Sequence, residues 1–287
     1  MFTQSDTTSN RSPMTHFQLV GEFHDTFEHQ QRKELYTDCF TSDPKLVPFR
    51  ISLMREELNE FLEALTADEK KKGLLVNWDE ELLSLTGLDR ISLLKMKLNT
   101  YLETLTNDHL ANMADALCDL SYVANGAGQC LGIDIDESMK KLGVDITTPN
   151  VGNNVDLDLI KNRPDIIVSG VETLELILSS FCLAVDAKSL SSMEYYLVML
   201  IKHTYDFGHK LGFHMDNMFR EVHRANMTKV CYTQEDVNAS IEFYLKEGRY
   251  KTPAGKPKGE YFVVYDMETT KILKNHKWDE PNHKQFF

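Results

Sequence analysis

The amino-acid sequence predicts an all-α protein, a helical bundle that ends in a small C-terminal hairpin. Apolar residues recur at helical spacing along most of the 287 residues. Two of the predicted helices carry a row of carboxylates opposite an apolar row. A short motif with two glycines occurs once in each half of the chain. We therefore expect two related helical halves fused in one chain, a pseudo-dimer.

The predicted elements follow the apolar periodicity in chain order. Phe17, Val20, Phe23 and Phe27 define a helix over residues 17–29, and a loop near residues 42–48 follows. Helices are then predicted over residues 54–65, 79–105 (broken near Gly87), 110–131, 171–185, 193–211 and 216–228. Asn107 or Asp108 is expected to cap the helix over residues 110–131. The alternating residues 261–265 predict a small hairpin within residues 261–273.

A polar segment divides the chain. Residues 143–163 are rich in Asn, Asp, Gly and Thr and contain Pro149, and Pro164 follows them. We expect a disordered tail over residues 1–13, a first half over 14–145, a linker over 146–165 and a second half over 166–287.

The repeated motif relates the two halves. Residues 128–136 (GQCLGIDID) match residues 208–216 (GHKLGFHMD) in both glycines, the leucine and the final aspartate. Asp136 and Asp216, the final aspartates, are expected to cap the helices that follow. In the same register, Asp115 and Asp119 correspond to Tyr195 and Met199. The second half therefore lacks the acidic row.

Composition limits the classes of function. A formal net charge of -13 argues against nonspecific binding to a nucleic-acid polymer, which requires clustered Lys and Arg. Five cysteines without CxxC spacing favour a reduced, cytoplasmic setting. The N-terminal residues carry no apolar run typical of a signal sequence. Charged residues interrupt every long apolar pattern, so we expect no membrane span.

The acidic rows predict a metal site. Glu56, Glu60 and Glu63 recur at helical spacing with Glu57 at their edge, and the second row reads Asn112, Asp115, Asp119 and Tyr122. Solvated helix faces usually mix both signs of charge, yet only Arg55 interrupts these rows. Carboxylates gathered in this way need divalent cations, and Mg²⁺ prefers oxygen ligands. Two merely solvated faces are the alternative.

Four sequence elements, in order, resemble the MazG-like all-α nucleoside triphosphate pyrophosphohydrolases, a superfamily with phosphoribosyl-ATP pyrophosphohydrolase and dimeric dUTPases. They are EFHDTF at residues 22–27 followed by Arg50 and LMREELNE at 53–60, ADALCDLSYVANG at 114–126, EVHRANMTK at 221–229, and an approximate GKxxKxxxWxxP tail at 270–281. Family members are usually short and dimerise, which favours a tandem duplication here. Asn112 stands where relatives often carry Glu.

The resemblance implies hydrolysis of a nucleoside triphosphate to a nucleoside monophosphate and pyrophosphate, with Mg²⁺ or alternatively Mn²⁺ as cofactor. Glu57, Glu60, Asp115 and Asp119 are the expected metal ligands, with Glu56 as a further ligand or general base. Arg224, Asn226, Lys229, Asn112, Tyr122, Lys274 and Trp278 are the expected substrate contacts. A role in nucleotide-pool control or house-cleaning follows from the same resemblance.

Two alternative functions stay open at this stage. A dUTPase or an enzyme of a phosphoribosylated nucleotide would share the same helix motifs. A catalytically silent nucleotide-binding or scaffold protein would account for Asn112 and the missing acidic row of the second half. The fused halves are expected to act as a pseudo-dimer, alone or paired again as a homodimer.

Overall fold

The computed structural model describes residues 13–71, 85–146, 155–269 and 271–287. Almost all of the predicted N-terminal tail, the start of the predicted helix over residues 79–105 and the middle of the predicted linker lie outside these ranges. Within them, the all-α prediction is confirmed, since helices make up most of the chain and the only described sheet is small.

Eleven α-helices are present in the described ranges. They are α1 (His16–Thr26), α2 (Cys39–Ser42), α3 (Leu46–Lys71), α4 (Gly87–Thr104), α5 (Asn107–Leu131), α6 (Ile135–Leu142), α7 (Leu157–Lys161), α8 (Pro164–Asp186), α9 (Leu190–Lys210), α10 (Met215–Met227) and α11 (Gln234–Glu247). Helices α1 and α5 start close to their predicted positions, and α3 extends well beyond its predicted span at both ends.

Helix α5 is the centre of the bundle. It packs against α3 most extensively, and also against α9, α1 and α10. Buried side chains occur all round it, and many are small, such as Ala114, Ala116 and Ala124. Small residues let neighbouring helices approach on every side, so α5 fits the interior position. Helix α8 packs on α9, so the second half is joined to α5 through α9.

The two copies of the glycine motif adopt the same local structure. The Ile133 amide donates to the Gly128 carbonyl at 3.0 Å, and the Phe213 amide donates to the Gly208 carbonyl at 2.9 Å. A β-carbon at Gly128 would lie 2.8 Å from Ile135 Cγ1, and one at Gly208 would lie 2.2 Å from Met215 Sδ. In both halves the glycine therefore lets the next helix pack closely.

The structure corrects three predicted helix caps. Thr106 caps α5, in a reciprocal box with His109, rather than Asn107 or Asp108. Asp134 caps α6, and His214 occupies the cap position of α10. Asp136 and Asp216 lie in the first turn of these helices, two residues after the cap positions.

Both motif aspartates instead hold the start of α1. The Thr15 hydroxyl donates to Asp136 Oδ2 at 2.6 Å. His16 Nε2 lies 2.8 Å from Asp216 Oδ1, with Arg220 on the other oxygen. Helix α1 is thus fixed by one aspartate from each half of the chain.

The C-terminal region contains more structure than the predicted hairpin. Strands β1 (Pro253–Lys258), β2 (Tyr261–Asp266) and β3 (Ile272–Leu273) form an antiparallel sheet in the order β1-β2-β3. The sheet packs on α11, a helix that the periodicity did not predict. Val263 of the sheet also packs with Val230 and Phe27, which joins it to α1. A 3₁₀ turn, His283–Phe286, ends the chain.

Helix α8 is the one candidate for a membrane span among the residues that the structure describes. Over its most apolar window it has a mean hydropathy of 1.8, and its length and composition would allow it to cross a membrane. In the structure it packs against α9 and α4, while Leu176 and Leu183 are exposed. Length and composition alone do not separate a membrane span from a core helix of a soluble protein.

Candidate active site

The two acidic rows face each other where α3 packs against α5. Burial, followed by the charges of Asp119, Glu60, Glu56 and Asp115, raises the pKa of Glu57 well above its usual range. Burial and Asp115 likewise raise the pKa of Asp119. The carboxylates of both helices therefore share one electrostatic neighbourhood, and each opposes the ionisation of the others.

The members of this carboxylate cluster differ in exposure. Glu57, Asp115 and Asp119 are half-buried, whereas Glu56 and Glu60 lie at the exposed rim. Burial and the charge of Glu56 raise the pKa of Glu60, so the rim residue is part of the same cluster. Asn112 is exposed one turn before Asp115 on α5. A cation placed among these oxygens would relieve their mutual repulsion.

The cluster suits a hard cation in its donor chemistry but is not gathered at ligand distance. Among the described residues, no three His, Cys, Asp or Glu side chains come close enough to hold a metal ion as they stand. The effects on pKa show that the carboxylates are near one another. Binding of Mg²⁺ requires more, because several oxygens must lie within about 2.1 Å of the same ion. The donor set therefore fits Mg²⁺, and the coordination geometry does not follow from these side-chain positions.

Asp115 has a partner that the sequence did not reveal. His283 Nε2 lies 2.8 Å from Asp115 Oδ1, and the His283 side chain is buried. The final 3₁₀ turn that carries His283 packs on α5 and α10. No motif or spacing marks a single histidine near the end of the chain, so only the folded structure identifies it.

Among the cations that act on Asp119, Lys229 lowers its pKa the most. Its ammonium lowers the pKa of Asp119, while its own pKa is lowered to about 8, chiefly by burial. Lys229 Nζ donates to Asn226 Oδ1 at 2.6 Å. Asn226 is itself buried, so this hydrogen bond holds the Lys229 ammonium in place. The structure thus places Lys229, just after α10, near the first-half carboxylates, and Asn226, in the last turn of α10, beside Lys229.

Lys274 approaches the cluster from the C-terminal tail. Its charge lowers the pKa of both Glu60 and Asp119. The ammonium also lies 3.3 Å from the centroid of the Trp278 ring. The Trp278 indole donates to the Ala225 carbonyl at 2.8 Å, so this ring is docked on α10. Lys274 covers one face of the ring. These contacts indicate that Trp278 packs the C-terminal tail onto α10.

Arg224 is turned away from the carboxylates. Its Nε and Nη2 each donate to Glu221 at 2.9 Å, and its Nη1 lies 3.5 Å from Asp279 Oδ2. Glu221 also accepts from the Asn282 amide at 2.9 Å. In this structure the bidentate pair therefore fastens the C-terminal tail to α10.

Tyr122 belongs to a hydrogen-bonded chain that joins three helices. Its hydroxyl lies 3.0 Å from His223 Nδ1, and His223 Nε2 lies 3.2 Å from Glu22 Oε2. Burial lowers the pKa of His223 and favours the neutral ring. A carboxylate only accepts, so Nε2 carries the hydrogen and Nδ1 accepts from the Tyr122 hydroxyl. His223 thus has one polar partner on α5 and another on α1.

Comparison with known proteins relates the first half of the chain to a known family. The family model of phosphoribosyl-ATP pyrophosphohydrolase matches residues 20–144. These residues contain most of α1 and all of α3 and α5, and therefore every carboxylate of the cluster. The match confirms the predicted resemblance to the MazG-like all-α pyrophosphohydrolase superfamily over this part of the chain. In general terms, the family indicates a nucleotide pyrophosphohydrolase.

A relative covers both halves of the chain. The uncharacterized protein L479 of Acanthamoeba polyphaga mimivirus is 25% identical over 288 residues, which span 96% of each chain. The similarity thus extends through the second half, beyond the matched family domain. No solved structure matches.

Proposed function

We propose that this protein hydrolyses a nucleoside triphosphate to a nucleoside monophosphate and pyrophosphate with Mg²⁺ as cofactor. The carboxylate cluster between α3 and α5, with Lys229 and Lys274 beside it, is the observation that carries the proposal. Acidic and basic groups side by side suit a substrate whose negative phosphates are bound together with cations. The family match to the same helices supports the reaction class.

The metal would be held by Glu57, Glu60, Asp115 and Asp119, and Mn²⁺ is an alternative to Mg²⁺. When bound, the ion neutralises phosphate oxygens and lowers the pKa of water. The exposed Glu56 carboxylate lies at the rim of the cluster, where it would accept a proton from the attacking water. For Asp115 to act as a ligand, its Oδ1 must exchange its contact with His283 or use its other oxygen.

Lys229 and Lys274 would stabilise the charge that develops on the departing pyrophosphate. Fixed cations stabilise such charge most effectively when they are held before the reaction, because little reorganisation is then needed. Asn226 holds the Lys229 ammonium in advance through their 2.6 Å hydrogen bond. Arg224 stays a weaker proposal as a substrate contact, since Glu221 already takes two of its donors.

A pyrophosphate-release assay tests the proposal. Purified protein is given a panel of NTPs and dNTPs, with Mg²⁺, with Mn²⁺ and with a chelator. We expect release from at least one nucleotide with metal and none with the chelator. Glu60→Gln and Asp119→Asn should each abolish release while the helical circular dichroism is retained. Near-normal activity in either variant would exclude the proposed metal site.

Phosphoribosyl-ATP is the second candidate substrate, because its pyrophosphohydrolase is the family whose model matches residues 20–144. It belongs in the same panel, together with dUTP. Selective release from one of these compounds would replace the general triphosphate proposal. Nucleotide binding without release from any member would favour the silent nucleotide-binding alternative.

A further inference from the structure

Arg50 is a buried cation that the proposed chemistry does not yet use. It lies on α3, is 8% exposed, and has no ion-pair partner among the residues that the structure describes. Its Nε is buried without any hydrogen-bond partner. A buried guanidinium normally pairs with a carboxylate, because desolvating an unpaired charge costs several kcal/mol. The arrangement therefore calls for an anion from outside the chain.

The groups that do surround Arg50 are weak or neutral partners. Nη2 lies 2.6 Å from Cys130 Sγ, a thiol that itself donates to the Gln30 carbonyl at 3.2 Å. Thiol sulfur is a poor acceptor. The guanidinium carbon lies 5.9 Å from the centroid of the Phe49 ring. Asp43 acts electrostatically on Cys130 but forms no ion pair with Arg50 within the described ranges.

Two histidines and a glycine complete the surroundings of Arg50. A β-carbon at Gly126 would lie 3.3 Å from Arg50 Nη1 and 3.0 Å from His24 Nε2, so glycine leaves the room that both side chains occupy. The His24 Nδ1 hydrogen points to the Gln30 carbonyl at 3.0 Å. Burial lowers the pKa of His24 to about 3 and that of His29 to about 4. Both rings are therefore neutral at pH 7 and leave the positive charge of Arg50 uncompensated.

Arg50 lies on the same helix as Glu57 of the carboxylate cluster. Arg50 and Glu57 are two helical turns apart on one face of α3, which corresponds to about 11 Å along the axis. On α5, Gly126 and Asp119 have the same spacing and face them. Arg50 therefore lies in the same seam between the helices, two turns beyond the cluster.

Lys229 connects the two ends of this seam. Arg50 and Lys229 both lower the pKa of His29, and Lys229 also acts on Asp119. His29 stacks on Phe23 with 5.5 Å between ring centroids, and Lys229 Nζ lies 5.7 Å from the Phe23 centroid. A nucleoside triphosphate bound at the cluster is long enough to extend along these groups. This step rests on the proposed function.

We propose that Arg50 is a substrate-binding residue that takes the terminal phosphate of the triphosphate through its planar guanidinium. Guanidinium geometry matches phosphate oxygens in a bidentate manner, which an ammonium does not reproduce. The site would thus hold the triphosphate at both ends, with carboxylates and metal at one and Arg50 at the other.

Binding of inorganic triphosphate with Mg²⁺ tests this inference without requiring turnover. By isothermal titration calorimetry, Arg50→Met should weaken binding roughly 10- to 100-fold, as expected for loss of charge-assisted hydrogen bonds. The same variant should unfold at an equal or higher denaturant concentration than the parent, since an uncompensated buried charge has been removed. If Arg50 were purely structural, Arg50→Met would bind triphosphate normally and would unfold at a lower denaturant concentration.

Arg55→Met is the matched control. Arg55 lies on the same helix, and its Nη2 also contacts a thiol, Cys182, at 3.6 Å, on the side that faces α8. It should leave triphosphate affinity unchanged. Unchanged affinity in Arg50→Met would overturn the inference, as would weakened binding of a nucleoside triphosphate with unaltered binding of inorganic triphosphate. That last result would instead assign Arg50 to the base or sugar.

Arg50→Lys keeps the test decisive if Arg50→Met does not fold. It retains the charge but loses the bidentate fork, so it should still weaken triphosphate binding. Normal binding by Arg50→Lys together with an unfolded Arg50→Met would make the role structural. If the parent binds triphosphate through Arg50 but hydrolyses no nucleotide, the proposed function fails and this inference stands.

Discussion

At the scale of single residues, the site depends on side chains held by neighbours from other helices. The chain Glu22, His223 and Tyr122 joins α1, α10 and α5 at distances of 3.2 and 3.0 Å. Tyr122 is 6% exposed and lies one turn after Asp119 on α5. His223 therefore acts as a positioning residue for the α5 face that carries the carboxylates.

Removal of His223 should affect both stability and rate. His223→Ala leaves the Tyr122 hydroxyl without its acceptor, which we expect to cost about 1 to 3 kcal/mol in the free energy of unfolding. A loss of supporting contacts around a metal site typically lowers activity roughly 10-fold or more. Urea unfolding and pyrophosphate release check the two effects. A variant with full activity and unchanged stability would show that the chain has no positioning role.

His24 predicts a pH dependence of stability. Burial lowers its pKa from 6.5 to about 3, so between these values the unfolded state binds a proton that the folded state does not. Stability should therefore be complete above pH 6.5 and fall as the pH drops towards 3, by about 1.4 kcal/mol per pH unit for this group. His29, with a pKa of about 4, acts in the same direction.

The variant His24→Asn should flatten this dependence. Asparagine keeps a donor for the Gln30 carbonyl but does not titrate in this range. The slope of the unfolding free energy between pH 6.5 and 4 should decrease by about one proton equivalent, measured by urea unfolding at several pH values. An unaltered slope would mean that His24 is not the buried neutral group described here.

At the scale of elements, the two glycine motifs set how closely consecutive helices pack. Gly208→Ala would place a methyl group 2.2 Å from Met215 Sδ, inside contact distance. We expect a loss of about 1 to 3 kcal/mol from overpacking between α9 and α10. Thermal unfolding followed by circular dichroism measures it. Combining Gly208→Ala with Met215→Ala should give less than the sum of the two single losses, and simple additivity would contradict the close contact.

At the scale of the whole molecule, the two halves share one interface that completes the site. Helix α5 packs against α9 and α10 of the second half, while α9 packs in return against α6 of the first. Lys229 and Lys274 come from the second half and act on carboxylates of the first. The family domain over residues 20–144 is therefore not the whole of the candidate site.

A chain that ends at residue 145 should be inactive and poorly folded. It would expose the apolar face of α5 that α9 and α10 cover, and it would lack both lysines. We expect no pyrophosphate release and a broad, weakly cooperative thermal transition by circular dichroism. A cooperative transition at the melting temperature of the full chain would show that the first half is an independent domain.

Much of the fold could be predicted because helix periodicity is a local property. Helices α5, α8, α9 and α10 carry continuous apolar rows, and the pattern predicted each of them. Helix α11 was missed because its buried face consists only of Val237, Ser240 and Tyr244. Cap residues were misassigned because the turn before a helix, rather than the nearest Asp or Asn, decides where the helix begins.

The sequence by itself determined the all-α class and the two acidic rows, because periodicity and spacing place side chains on helix faces without knowledge of the partner helix. Its motifs also carried the resemblance to a family, which the match over residues 20–144 supports. Only the tertiary structure decided which groups meet those rows. The resemblance named Lys229 as a substrate contact, but its position near Asp119 depends on how the halves pack. The position of His283 beside Asp115 depends on the same packing. Contacts of this kind arise from packing between distant segments, so no local pattern contains them.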